Sequence, residues 1–374
     1  MNENKKLNQD PLKEANNQPS KKHIGRTSQS LDLLNKITHK NLIDNGKNEI
    51  TIQNNFVTIL QNVKDAERHK LTTFNGKLNR FILKRVDGSQ IARDTKPYCF
   101  KFNIKEWLEA TGKEENEKDN QRKIIDRELD TLSTIAFKIK SKDKIKRFHY
   151  LTGDTSANHV NIEIDGKAKL YLLASNKSFN YVIPDILFSV NERKYPYIFS
   201  IYDKLFYQSQ MNAGDANSNI LKFNNLVNHL LINIEDIEPK YYNRRISEPI
   251  EQSLNLLKDL DILEWKYCHE KGAPLTEAEK NSKKDKKGNE RALPYKISKN
   301  CYIQWEWKNQ EIKEYLLEQI PKREKVKALK KAKAEKRKED KKQSDKRISR
   351  KTEDKIAEKL AEKFMDDNTN FELI

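Results

Sequence analysis

Large apolar residues are sparse over positions 1–48, which are rich in Asn, Lys, Gln and Ser. Such a segment buries too little surface to offset the entropy of ordering it, so a mostly disordered N-terminal arm is expected. Leu31, Leu34 and Ile37 recur there every three residues and mark a short helix at most. From residue 49 the pattern changes. Apolar runs at 50–52 and 56–60 open a first globular region, and those at 81–83 and 98–102 predict strands. Asn103 then stands as an N-cap, and Gly112 as a C-terminal stop, around a short helix. Within 120–132, Ile124, Ile125, Glu128, Leu129 and Leu132 mark one face of a longer helix. Strands are predicted at 136–139 and 147–151 around a Lys-rich turn, so this stretch reads as a helix-turn-helix followed by a wing. Two more strands, 160–164 and 170–173, flank a hairpin turn at Asp165-Gly166, and Pro184 opens a helical stretch leading onward.

The order repeats downstream. Residues 197–211 form an amphipathic helix with Phe199, Tyr202, Leu205 and Phe206 on its apolar side. A polar loop at 212–219 leads to a helix over 221–231, and 243–262 predict a second helix. In the latter, Ile250, Leu254 and Leu257 recur at i, i+4 and i+7. Pro249 is compatible only with a first turn, where its missing N–H costs nothing. Strands at 265–268 and 302–307 enclose a long basic loop over 269–293. Helix, strand, charged loop and strand is the order of a winged helix. The expected fold is therefore α+β: arm 1–48, first winged-helix domain 49–185, second winged-helix domain 186–310, and a basic helical tail 311–374.

Charge sharpens this picture. The chain has 374 residues, a formal net charge of +17 and 34% charged residues. Such a balance favours anionic partners, with nucleic acid ahead of an acidic membrane surface. Cys99, Cys268 and Cys301 are scattered and odd in number, which fits reduced thiols and offers no disulfide framework or metal spacing. The polar start is not a signal peptide, and no apolar run is long enough to span a bilayer. A cytoplasmic protein is expected.

The helix at 243–262 carries the chemistry. Recognition helices lie in the major groove and present polar side chains to base edges. Arg244 and Arg245 sit at its entrance, and Glu251, Gln252, Ser253 and Asn255 lie off the apolar face. Arginine reads guanine, Gln and Asn read adenine, and Glu accepts from cytosine. Arg244, Arg245, Glu251, Gln252 and Asn255 are therefore the candidate base readers. Gln121, Arg122, Lys123 and Arg127 are their counterparts on the first long helix, which has a dimer interface as its other reading. Lys283, Lys284, Lys286 and Lys287 in the basic loop are candidate phosphate contacts. The bland alternative for each is a solvated face.

Catalytic constellations are missing from the sequence. His159-Val160-Asn161 lacks the second histidine of a metal-binding pair, and Tyr241-Tyr242, without a histidine cluster, reads as aromatic packing. His229 reads as structural. There is no phosphate-cradling Gly-x-x-x-x-Gly-Lys-Ser/Thr loop and no paired Cys-x-x-Cys. No enzyme activity, cofactor or metal is expected.

At 245–254 the run Arg-Ile-Ser-Glu-Pro-Ile-Glu-Gln-Ser-Leu resembles a segment of theta-type plasmid replication initiators, where a basic residue, aliphatics and a Pro precede a helix. The helix over 223–231 fits the same pattern. Residues 263–276 (Leu-Glu-Trp-Lys-Tyr-Cys-His-Glu-Lys-Gly-Ala-Pro-Leu-Thr) are similar to a stretch of initiator-like winged-helix proteins of mobile elements. The resemblance is closest over 195–307 and only architectural before that. It implies two winged-helix domains that bind direct repeats in an origin as monomers, help melt adjacent DNA and recruit host replication proteins. It also implies a homodimer that represses its own gene. The long arm, the wing insertion and the basic tail depart from the pattern. A winged-helix transcriptional regulator is the competing reading, and a nicking or priming enzyme the next.

Overall fold

The computed structural model describes residues 25–36, 43–44, 49–53, 57–88, 90–141, 144–174, 178–215, 218–284 and 290–321, with isolated positions 324, 328, 335 and 356–357. The chain divides into two compact units, Met1–Tyr315 and Leu316–Ile374. Of the second, residues 316–321 are helical and Leu317 is exposed. The rest of the expected basic tail lies largely outside the described residues.

Part of the arm expected to be disordered is folded. Strand β1 (Gly25–Ser28) leads into helix α1 (Gln29–Lys36), whose Leu31, Leu33 and Leu34 are buried. The three-residue recurrence was the trace of this helix. Residues 1–24 lie outside the described residues.

Strands β2 (Ile43–Asp44), β3 (Glu49–Gln53) and β4 (Val57–Asn62) follow, then helices α2 (Val63–Arg68) and α3 (Thr73–Arg85). The run 81–83, expected to be a strand, lies inside α3. Thr72 and Asn75 close a capping box at its start, with the Thr72 amide donating to Asn75 Oδ1 at 2.7 Å. Every residue from Asn75 to Leu83 is buried, polar ones included, so no polar face shows the helical period.

Strand β5 (Tyr98–Asn103), helix α4 (Ile104–Thr111) and helix α5 (Lys118–Ser133) match expectation. Asn103 caps α4, and Gly112 ends it with φ of 65°. Four strands come next: β6 (Ala136–Ser141), β7 (Lys144–His149), β8 (Leu151–Thr155) and β9 (His159–Ile164). They divide between two sheets, one ordered β2-β3-β4-β6-β7 and the other β5-β9-β8. The chain crosses between them at Tyr150, whose buried hydroxyl donates to Asn79 Oδ1 at 2.6 Å. The expected strand at 147–151 is thus split, and the hairpin that closes the α4–α5 unit is β8–β9, not the Lys-rich β6–β7.

Helix α6 (Gly166–Ala168) replaces the expected hairpin turn. Asp165 Oδ1 accepts from the amides of Lys167 and Ala168 at 2.8 and 3.1 Å, and Gly166 packs directly on the Thr95 backbone, leaving no room for a Cβ. The expected strand at 170–173 continues it as a wide helical turn. Leu172 and Leu173 are buried there, and buried Lys169 pairs with Asp94. Strand β10 (Ser178–Tyr181) pairs antiparallel with β1.

Helix α7 (Ile198–Met211), strand β11 (Ile220–Lys222), helices α8 (Phe223–His229) and α9 (Glu248–Asp259), strand β12 (Leu263–Cys268), short helices α10 (Glu277–Asn281) and α11 (Tyr295–Ser298), and strand β13 (Tyr302–Trp307) complete the unit. The last sheet is ordered β11-β13-β12, with Trp265 opposite Trp305. This connectivity repeats an earlier one. The series α3-β5-α4-α5-β8-β9 and the series α7-β11-α8-α9-β12-β13 share element order, and each sheet places its last strand in the middle. The fold is α+β, as expected.

Candidate nucleic-acid interface

Helix α9 is entered through an unbroken helical stretch beginning at Pro239. Over Asn243–Ser247 the turn widens, and the Glu248 amide bonds back to the Asn243 carbonyl, five residues earlier. Such a wide turn changes the hydrogen-bond register just before Pro249, which has no N–H to offer. Arg244 and Arg245 therefore lie within the helical stretch and not at its free N-terminus.

Ile250, Leu254 and Leu257 are fully buried, each stabilising by roughly 1.5–3 kcal/mol. They set the phase of the opposite side. Lys240, Arg244, Glu248, Gln252 and Asn255 follow at four- and three-residue spacing, and all but half-buried Glu248 are exposed. Arg245 is exposed beside them, its guanidinium carbon 5.3 Å from the Tyr241 ring centroid. Asn255 Oδ1 accepts from Trp265 Nε1 at 3.0 Å, which ties the stripe to β12. Tyr242 packs edge-on against Tyr295, centroids 5.1 Å apart.

Glu251 and Ser253 are corrections. Both are buried, Glu251 to 5% exposure, because the segment after β12 folds over that flank of α9. Glu251 Oε1 accepts from the Leu293 amide at 2.6 Å, and Oε2 lies 3.5 Å from Lys283 Nζ. Burial pushes the Glu251 carboxyl up, and Lys283 opposes the shift. Ser253 donates to the Pro249 carbonyl at 2.8 Å. Lys283 also lies over the rings of Trp265 and Tyr267, at 5.8 and 5.7 Å. It ties α9 to β12 and the segment that follows it, and is not a free phosphate ligand. Lys284 is exposed and bridges in β fashion to Glu290. Lys286 and Lys287 lie outside the described residues.

The segment between β12 and β13, expected to be a basic loop, is more ordered than that. Thr276 and Glu279 form a capping box on α10, and His269 Nε2 lies 2.9 Å from Glu279. Arg291 Nε donates to the Ser282 carbonyl at 3.1 Å, closing its base. Lys240 and Arg291 were missed by sequence reading. Lys240 was recoverable from its spacing to Arg244; Arg291 leaves no periodic signal.

On α5 the expected set divides. Gln121 is buried to 6% exposure and accepts from Trp107 Nε1 at 3.2 Å, so it braces α4 against α5 and cannot read a base. Arg122 lies 3.4 Å from Asp119. Lys123 is exposed. Arg127 reaches Glu128 at 2.6 Å, and Glu128 also accepts from Asn75 Nδ2 at 2.6 Å. With Asp119, Asp130, Lys123 and Arg127 all exposed, this face is mixed in charge, unlike the basic entrance to α9.

Among the described residues no group of three or more His, Cys, Asp or Glu is placed to hold a metal, and no helix is long and apolar enough to cross a membrane.

No protein-family model and no curated relative matches the chain. Among solved structures it is similar to a crystal structure of domains 2 and 3 of RctB, with 12% sequence identity and a TM-score of 0.35. That match covers 74% of this chain and 98% of the other, and a score so low does not by itself establish a shared fold.

Proposed function

We propose that this chain is a sequence-specific, duplex-DNA-binding initiator of plasmid or mobile-element replication, built on two tandem winged helices. The observation that carries the reading is the exposed stripe of Lys240, Arg244, Gln252 and Asn255 on the helix preceding β12. The element order around it, helix-strand-helix-helix-strand-loop-strand, supports reading α9 as the recognition helix, and the same order in the first repeat supports reading α5 likewise. Arg244, Arg245, Gln252 and Asn255 read base edges, while Lys284 and the other outward lysines hold phosphates. The initiator role itself draws on the resemblance over 195–307. Binding to direct repeats of an origin strains the duplex, and a neighbouring A·T-rich stretch opens. Catalysis is left to host replication proteins. A dimer of the chain acts back on its own gene.

Footprinting of DNA flanking the gene, at near-physiological salt with excess competitor, tests this. Several evenly spaced protected repeats are expected. One protected promoter operator would instead make the chain a transcriptional regulator. No protection above competitor would remove base recognition altogether.

A further inference from the structure

Two amides project from the exposed side of α9, and they are not equivalent. Gln252 is exposed, and its amide has no partner among the described residues. Asn255, one turn further along, accepts the indole N–H of Trp265 on its Oδ1 at 3.0 Å. Trp265 Nε1 can only donate, so the amide atom that faces it is necessarily the oxygen. Asn255 Nδ2 is left without a partner among the described residues, on an exposed side chain. The indole is itself held. It stands edge-on to Tyr267, centroids 5.2 Å apart, pairs across the sheet with Trp305, and has Lys283 Nζ 5.8 Å from its ring. A second tie fixes α9 on β12: Lys258, three residues after Asn255, lies 3.0 Å from Glu264, the neighbour of Trp265. The turn between helix and strand is closed by the Ile262 amide, which donates to the Leu257 carbonyl at 3.0 Å. Sheet and turn, not Asn255, thus set where the indole N–H points.

This arrangement decides which edge Asn255 can offer. Reading adenine with both atoms requires the amide oxygen and nitrogen to face the base together, the oxygen accepting from N6 and the nitrogen donating to N7. With its oxygen turned to β12, Asn255 presents N–H donors alone. Guanine, whose N7 and O6 are adjacent acceptors, complements them, whereas adenine sets its own N6 donor against them.

We propose that Trp265 is a positioning residue that sets the base preference of Asn255, turning a side chain otherwise suited to adenine into a donor that prefers guanine. The inference rests on the duplex-DNA reading above. It leaves Gln252, with both amide atoms free, as the adenine reader of the pair.

The test uses the full chain and a set of duplexes carrying one protected repeat, each base pair substituted in turn. The parent, Asn255→Ala, Asn255→Asp, Trp265→Phe and Arg245→Ala are compared by competition binding, with the Tm of each free protein. Asn255→Ala should abolish the preference at one base pair and so identify the pair that Asn255 reads. There the parent is expected to favour guanine over adenine by about tenfold. Trp265→Phe keeps a ring and loses the N–H, so that ratio should fall to near parity while preferences at other base pairs persist. Asn255→Asp keeps an acceptor for Trp265 and turns a second acceptor outward, so the preference there should pass to cytosine. An adenine preference in the parent at that base pair, or a guanine preference that survives Trp265→Phe, overturns the positioning role alone. A loss spread evenly over the repeat in Trp265→Phe, tracking a lowered Tm, makes Trp265 structural only and also overturns it. If Asn255→Ala alters no base pair while Arg245→Ala still impairs binding to the repeat, Asn255 reads no base and the inference falls by itself. Failure of the parent to prefer the repeat over random duplex removes the inference and the sequence-specific DNA reading together.

Discussion

The guanidinium of Arg80 on α3 meets the carboxylate of Asp203 on α7 in the protein interior. Arg80 Nε donates to Asp203 Oδ2 at 2.8 Å, and Nη2 lies 2.7 Å from the same oxygen. Since α3 opens the first repeat and α7 the second, this ion pair joins them. Tyr181 donates its hydroxyl to Asp203 Oδ1 at 2.6 Å, and Arg80 Nη1 donates to the Asn35 carbonyl of α1 at 3.1 Å. Gly76 lets α1 come this close, because a Cβ there would collide with the Asn35 carbonyl oxygen. The segment expected to be unfolded is a wedge between the two repeats. Burial raises the Asp203 carboxyl pKa, and Arg80 opposes that shift.

Removing one partner strands the other. Arg80→Ala leaves a buried carboxylate unpaired and should cost about 3–5 kcal/mol, whereas replacing both residues with apolar ones of similar volume recovers most of it. Urea denaturation of Arg80→Ala beside Arg80→Met/Asp203→Leu measures this. A loss in the single variant no larger than that of an exposed pair, about 1 kcal/mol or less, would contradict the buried coupling.

His229 makes the same junction sensitive to acid. Its Nδ1 lies 3.0 Å from Lys36 Nζ. Burial lowers its pKa from 6.5 to about 3, Lys36 and Lys204 add to the shift, and Asp32 opposes it. The unfolded chain therefore takes up a proton below 6.5 that the folded chain refuses, so stability falls as pH drops from 6.5 toward 3. Between about pH 7 and about pH 5 the His229 contribution amounts to about 2 kcal/mol. His229→Gln should flatten that part of the curve. Denaturation midpoints at both pH values decide it, and parallel curves for the two proteins would refute the assignment.

What the sequence disclosed depended on how local the physics is. The ends of α4 were legible because Asn103 acts through its own side chain on the Lys105 amide two residues on, and Gly112 through its own left-handed backbone. The outward stripe of α9 was legible because Ile250, Leu254 and Leu257 fix the helical phase. Helix α3 was not, because Lys77, Asn79 and Arg80 look solvent-facing in sequence and are buried only by partners far along the chain. Asp203 lies 123 positions after Arg80. Gln121 and Glu251 were misread for the same reason. Trp107 and the Leu293 amide claim them, and spacing cannot show a polar side chain already engaged. The exchange of β6–β7 for β8–β9 was hidden because both hairpins alternate alike, and only pairing tells them apart.

Glu251 should govern how firmly the segment between β12 and β13 is held on α9. Glu251→Ala leaves the buried Leu293 amide without an acceptor and should cost about 1–3 kcal/mol. Glu251→Gln keeps an acceptor and removes the charge facing Lys283. The raised carboxyl pKa gives the parent protein a stability that is complete below 4.5 and declines as pH rises through the folded-state value. The glutamine variant should lack that decline. Hydrogen exchange at the Leu293 amide reports that contact directly, and unchanged protection in Glu251→Ala would refute the clamp.

Base reading and structural bracing predict opposite outcomes for two glutamines. Gln252 is exposed on the α9 stripe, whereas Gln121 is buried against Trp107. Gln252→Ala and Arg245→Ala should each weaken binding to the protected DNA by about 1–3 kcal/mol while barely changing binding to random duplex. Their free proteins should melt as the parent does, since neither side chain is buried. Gln121→Ala should lower the melting temperature by leaving the indole N–H of Trp107 without its acceptor, and should leave the ratio of specific to random binding unchanged. Competition binding on the two duplexes, with melting curves, separates the cases. Equal weakening on both DNAs by Arg245→Ala would make Arg245 a phosphate contact. A changed specificity ratio in Gln121→Ala would mean that α5 reads bases through a side chain the fold buries.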